Sequence, residues 1–242
     1  MLKLIRGEIY RMLHKKSMYI YFASLAAGYF LLAFIRSGGF KAESVVNDAV
    51  SLFSFLPALA GGFLFSAIYA DDLGSKNLIT LVGFGVSKAR IVMAKLILTL
   101  LFGSVAFALA PPYHCAVYAL LGQAVTESAM ASVYAVALQY LLTTIAFSVL
   151  SGIAAYGSQR ATFAIVLYFL LAFNVVGSLL AVTLRTFAPG LAGYLISGIA
   201  ARILMGVIGG GAIIPPVFEY VIYVAAAAAL SVAAFHKKQM EF

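Results

Sequence analysis

Six long apolar blocks, at about 18–35, 49–70, 91–112, 130–153, 161–182 and 217–235, alternate with short polar junctions along the chain. Each is close to the roughly 20 residues that a helix needs to cross about 30 Å of hydrocarbon, and a helix satisfies its own backbone where water is absent. A membrane β-barrel would show strands of about ten residues alternating in polarity, and these unbroken runs do not alternate. Residues 2–16 follow a different pattern. Leu2, Ile5, Ile9, Met12 and Leu13 fall on one helical face and Lys3, Arg11, His14 and Lys15 on the other, with Leu4 and Lys16 as exceptions. That is the pattern of a basic amphipathic helix lying in the membrane interface. The chain therefore predicts an all-α integral membrane protein of six transmembrane helices, with an N-terminal interfacial helix over 1–16.

Two stretches interrupt the pattern. Pro111 and Pro112 predict an end to the third helix, because proline lacks the amide donor and clashes with the preceding turn, leaving 113–122 as a second short piece near the outer surface. Residues 186–216 are apolar but carry Pro189, Gly190, Gly193, Gly198, Arg202, Gly206, Gly209, Gly210, Gly211, Pro215 and Pro216. They predict a broken, partly re-entrant hairpin on the outer side before the sixth span, tolerated where its backbone is buried in protein. A seventh crossing is the alternative, and it would carry Lys237 and Lys238 to the outer side. With six spans, twelve Lys/Arg fall near one face (Lys3, Arg6, Arg11, Lys15, Lys16, Lys76, Lys88, Arg90, Lys95, Arg160, Lys237, Lys238) and four near the other (Arg36, Lys41, Arg185, Arg202). That asymmetry predicts a multi-pass protein of the cell membrane, as in a bacterial plasma membrane, with both termini cytoplasmic. No fixed repeat and no long linker divides residues 1–242, so a single domain is expected.

Composition narrows the classes. The 242 residues are 64% hydrophobic and only 10% charged, with a mean hydropathy of +1.06, whereas soluble domains are about 25% charged. The net charge of +8 is scattered at block ends rather than gathered in a patch, which points to lipid phosphates and topology instead of nucleic acid. Cys115 has no partner for an internal disulfide. Five Lys/Arg in the first 16 residues precede a long apolar block with no Ala-x-Ala site behind it, so the first helix is expected to persist in the mature protein. Phosphate-loop, His-Glu-x-x-His and Gly-x-Ser-x-Gly motifs are missing from the sequence, and His14, His114 and His236 are dispersed. An enzyme is not expected, and if the protein uses ATP another chain must bind it.

The most informative segment is polar: Asp71, Asp72, Leu73, Gly74, Ser75, Lys76, Asn77 and Leu78, running on to Gly85, Val86, Ser87, Lys88, Ala89 and Arg90. Two acids suit a helix start, so a short helix is expected to run to about Val82. Gly83 and Gly85 permit a turn, and Ser87 is placed to cap the third span, with Lys88, Arg90 and Lys95 anchored at the phosphate level. A run of two acids and three bases inside so apolar a chain is expected to sit in water, against another protein.

The order of basic amphipathic helix, two spans, Asp-Asp-Leu-Gly-Ser-Lys-Asn-Leu, Gly-Val-Ser-Lys-Ala-Arg and then Ala-Lys at 94–95 resembles the permease subunits of ABC-2 type transporters. The resemblance covers nearly the whole chain by layout, down to a last span ending in basic residues at 235–238, and is motif-like over 71–95. It departs in having Lys88 ahead of Arg90 and a glycine-rich turn at 83–85. It implies that residues 71–90 are a cytoplasmic coupling helix docking into a separate ATPase, with Asp71, Asp72, Gly74, Ser75, Lys76, Asn77, Gly85, Ser87, Lys88 and Arg90 as contact residues. It also implies that the first helix is an interfacial elbow, that a second permease copy or a paralogue completes the pathway, and that ATP and magnesium are held by the partner.

Gln139 and Asn174 fall near the middles of their spans, where polar side chains are costly and either hydrogen-bond between helices or meet substrate. Arg202 and Glu219 flank the outer hairpin and are placed to pair. His114 and Cys115 are most simply packing residues. Few charges and many aromatic residues favour amphipathic or hydrophobic cargo: a small antimicrobial or toxic peptide first, a drug or lipid-linked molecule next. A channel or secondary transporter that uses no ATP, and an intramembrane enzyme, are the competing classes. The first would call for paired mid-membrane charges or matching broken helices, the second for convergent catalytic groups.

Overall fold

The structure, a computed structural model, describes residues 2–39, 45–74 and 77–237. Among them every regular element is helical: α1 (Leu2–Leu13), α2 (Lys16–Gly39), α3 (Val45–Phe53), α4 (Gly62–Phe65), α5 (Asp71–Gly74), α6 (Asn77–Gly83), α7 (Lys88–Leu120), α8 (Glu127–Ser158), α9 (Ala161–Ala172), α10 (Val175–Phe187), α11 (Ile196–Gly209) and α12 (Ile214–Lys237), with π-helical turns at Pro57–Gly61 and Ser66–Ala70 and a 3-10 turn at Pro189–Tyr194. Five helical stretches are long and apolar enough to cross a membrane: Lys16–Ile35, Val45–Leu73, α7, α8 and α12. A sixth is added if α9 and α10, bent by 57° at their junction, count as one span. At 14 residues, α11 is about 21 Å long, short of a full hydrocarbon crossing.

The central helix is α8, which packs against α3, α7, α9, α11 and α12. It contributes Val133, Ala146, Phe147 and Ala155 to the core. Where helices come closest, small residues make room. A Cβ on Gly61 would meet the Tyr168 hydroxyl at 2.2 Å and the Thr144 methyl at 2.7 Å, and one on Gly62 the Phe169 ring at 2.8 Å. Gly61 ends the first π-helical turn, and its neighbouring carbonyls are used: Tyr168 donates to Pro57 O at 2.7 Å and Tyr21 to Leu59 O at 2.8 Å. Irregular backbone at membrane depth is tolerated where neighbouring side chains satisfy it in this way.

Pro111 and Pro112 do not end the third span. The helix runs unbroken for 33 residues from Lys88 to Leu120, with both prolines inside it. Phe107, Pro111, His114, Cys115 and Tyr118 are buried along this stretch, so tertiary packing holds the helical path through two missing backbone donors. Beyond the prolines a buried polar group ties three spans together. His114 is fully buried. Its Nε2 faces the Val45 carbonyl at 2.9 Å, its Nδ1 meets the Tyr29 hydroxyl, and Tyr118 donates to Asp48 Oδ2 at 2.8 Å. A carbonyl only accepts, so Nε2 carries the proton and Nδ1 accepts from Tyr29.

Candidate functional site

At the end of the bundle where α1 lies, two acids and two bases meet. Arg11 binds Glu8 at 2.7 Å and Asp72 at 2.5 Å, while Lys95 binds Glu8 at 3.2 Å and also donates to Asp72. The square joins α1, α5 and α7. Lys15 pairs with Asp71 beside it. Asp72 and Lys95 are only 1% and 2% exposed. Burial alone would lower the Arg11 pKa, but the Asp72 and Glu8 carboxylates more than offset it, so the guanidinium is held above its ordinary value. Charges this deep persist because each has two opposite partners; one partner lost leaves an uncompensated buried ion.

This arrangement corrects three sequence expectations. Asp72 does not sit in water but inside the protein, and Asp71 is turned to Lys15. Lys95 is not at the phosphate level but within the square. Arg11 is drawn inward with Met12, which is buried, and Ile5 and Ile9, which pack on the core, while Leu2 and Leu13 are exposed. The amphipathic pattern of α1 is read against protein as well as lipid.

The rest of the polar segment follows. Its helix is divided: α5 ends at Gly74 and α6 begins at Asn77, and Ser75 and Lys76 lie outside the described residues. Leu78 is buried and Leu81 and Val82 pack on the core, whereas Asn77, Thr80 and Phe84 are exposed, Phe84 by 82%. The turn after α6 closes through Phe84 N to Thr80 O and Val86 N to Leu81 O, with Gly85 at φ +79°, the left-handed conformation that glycine adopts without strain. Ser87 takes an extended conformation before α7, but its side chain makes no capping bond. Lys88 turns to the last helix: its amine donates to Phe235 O at 2.8 Å and lies 5.2 Å from the Phe235 ring, satisfying a carbonyl at the end of α12. Arg90 is exposed. Lys95 lies two turns, roughly 10 Å, along α7 from Lys88, so the α6 turn joins α7 about that far from the square. Both described chain ends, α1 and the last turn of α12, gather here.

A second site lies deeper. Gln139 and Asn174 line one cleft of about 370 Å³, together with Ser54, Phe55, Phe173 and Ser197. Asn174 is not within a regular span but at the α9–α10 break, at φ 57°, a conformation that asparagine tolerates better than most residues. The cleft thus opens where two spans are interrupted, at the bend of α9–α10 and at the α3 end. Arg202 and Glu219 pair as expected, and the Arg202 guanidinium also donates to Gly193 O at 3.3 Å and lies over Tyr194, fastening the 3-10 turn to α11 and α12.

No protein-family model matches this chain, and no curated protein matches it either.

Proposed function

We propose that this chain is the permease subunit of an ATP-driven exporter of the ABC-2 type, working as a pair of permeases with a separate ATPase. The observation that carries this reading is the α5–α6 unit, held to α1 and α7 by the four-charge square around the buried Asp72 and Lys95, with Lys88 tying the start of α7 to the last span. An unattached loop would absorb a partner's movement, whereas a clamped one passes it to the spans. In this reading Phe84, with Asn77 and Thr80, meets the ATPase, and Asp72 with Lys95 transmits the motion. The six spans, the re-entrant role of α11 and cytoplasmic termini belong to the same proposal.

The cleft at Gln139 and Asn174 supports the choice of cargo. It combines amide and hydroxyl groups with the Phe55 and Phe173 rings, a lining suited to an amphipathic molecule such as a small peptide and ill suited to a bare ion. The rival reading, a carrier that uses no ATP, draws on the buried Asp48 and His114 at the far end.

Co-expression with the cell's ATPases tests the two. Phe84→Asp is expected to abolish copurification of an ATPase while membrane insertion stays normal, and a non-hydrolysing ATPase to stop export. Full-rate transport by the purified permease on a proton gradient alone would replace this reading with the rival.

A further inference from the structure

A groove of about 670 Å³ lies between α2 and α7, floored by the second span. Its walls are apolar, with Phe22 on one side, Phe102 and Leu109 on the other and Leu64 at the base. Little of α2 is buried, and it is tied to its neighbours by a few contacts, among them Tyr21 to Leu59 O, Tyr113 to Ala26 O and Tyr29 to His114. A groove without polar partners does not hold ordered water, so an apolar occupant is required.

Length and charge define that occupant. Along α7 the lining runs from Phe102 to Tyr113, about 16 Å, close to half of the roughly 30 Å hydrocarbon thickness. The end nearest α1 is bounded by Leu13 and Tyr19. Lys16 lies between them in sequence, exposed and in no ion pair among the described residues. We infer that the groove binds one acyl chain of an anionic phospholipid from the leaflet in which α1 lies, with Lys16 meeting its phosphate. The lipid fills the space that α2 leaves open and joins that span to the bundle. This binding is independent of the exporter reading.

The chain has no Trp, so a single introduced one reports on the groove. Phe102→Trp places it in the lining, and Leu170→Trp on α9 gives an exposed control. The two depths agree to within about a turn: Phe102 lies two turns from Lys95, and Tyr168, two residues before Leu170, stacks on Phe65, two turns from Asp72. Each full-length variant is reconstituted in phosphatidylcholine vesicles with rising amounts of dibrominated phosphatidylglycerol. Half-maximal quenching is expected at a several-fold lower bromolipid fraction for Phe102→Trp than for the control. Adding Lys16→Gln should raise that fraction about fivefold, the factor for one surface cation at about 1 kcal/mol. Leu109→Trp reads the same groove if Phe102→Trp fails to insert. Identical curves at groove and control would mean ordinary bilayer contact, and no quenching in the groove would mean that protein fills it; either result overturns the inference.

Discussion

At the scale of single residues, the four-charge square is defined by its pairing. Asp72→Asn or Lys95→Met leaves one buried ion short of a partner, and each is expected to cost about 3–5 kcal/mol, measured as reversible unfolding in detergent. The double variant should lose clearly less than the sum of the two, because the orphaned charge disappears with its partner. His114 makes a second test. Tyr29→Phe removes the hydroxyl donated to Nδ1 and should cost about 1–3 kcal/mol. Of these groups the sequence exposes Asp72 and Lys95 but neither Glu8 nor the pairing. Arg11 and Asp72 are 61 positions apart, and no local periodicity reports a contact at that range. Lys95 reads as an anchor because a lone lysine near a span end usually snorkels to the interface; only a carboxylate supplied by another element makes burial tolerable.

At the scale of elements, hydropathy located five long apolar helices, since each is a continuous run with polar ends, but the run at 161–182 is divided into α9 and α10 by a 57° bend. It misjudged the two prolines for a definite reason: their cost is local, while the packing of α7 around Phe107, His114 and Tyr118 that offsets it is contributed by other helices. The π-helical turns were invisible for the same reason. Their importance is open to test at Gly61, where a Cβ has no room beside Tyr168. Gly61→Ala is expected to destabilise by about 1–3 kcal/mol, and adding Tyr168→Phe should recover part of the loss by removing the nearest atom. Gly85→Ala is the contrasting case. Open space surrounds that position, so only the positive φ opposes the substitution, and a loss near 1 kcal/mol is expected in the same unfolding assay.

At the scale of the whole molecule, the proximity of α1, Lys88 and Phe235 puts the first and last described helices together at one end of the bundle. Lys3→Cys and His236→Cys, in a Cys115→Ala background, are therefore expected to react with a membrane-impermeant thiol reagent from the same side; labelling from opposite sides would require an odd number of crossings. The Gln139–Asn174 cleft shows the limit of pattern at this scale. Both residues were legible as polar groups in apolar runs, but their convergence depends on a 57° bend set by the left-handed Asn174. The bond from Lys88 to Phe235 spans 147 positions, and that separation bears on how the protein is made. A ribosome completes the α6 turn long before it delivers the last helix, so for most of synthesis that turn lacks its final fastening. A nascent or truncated chain would therefore present an unfinished surface at the α6 turn until Phe235 arrives.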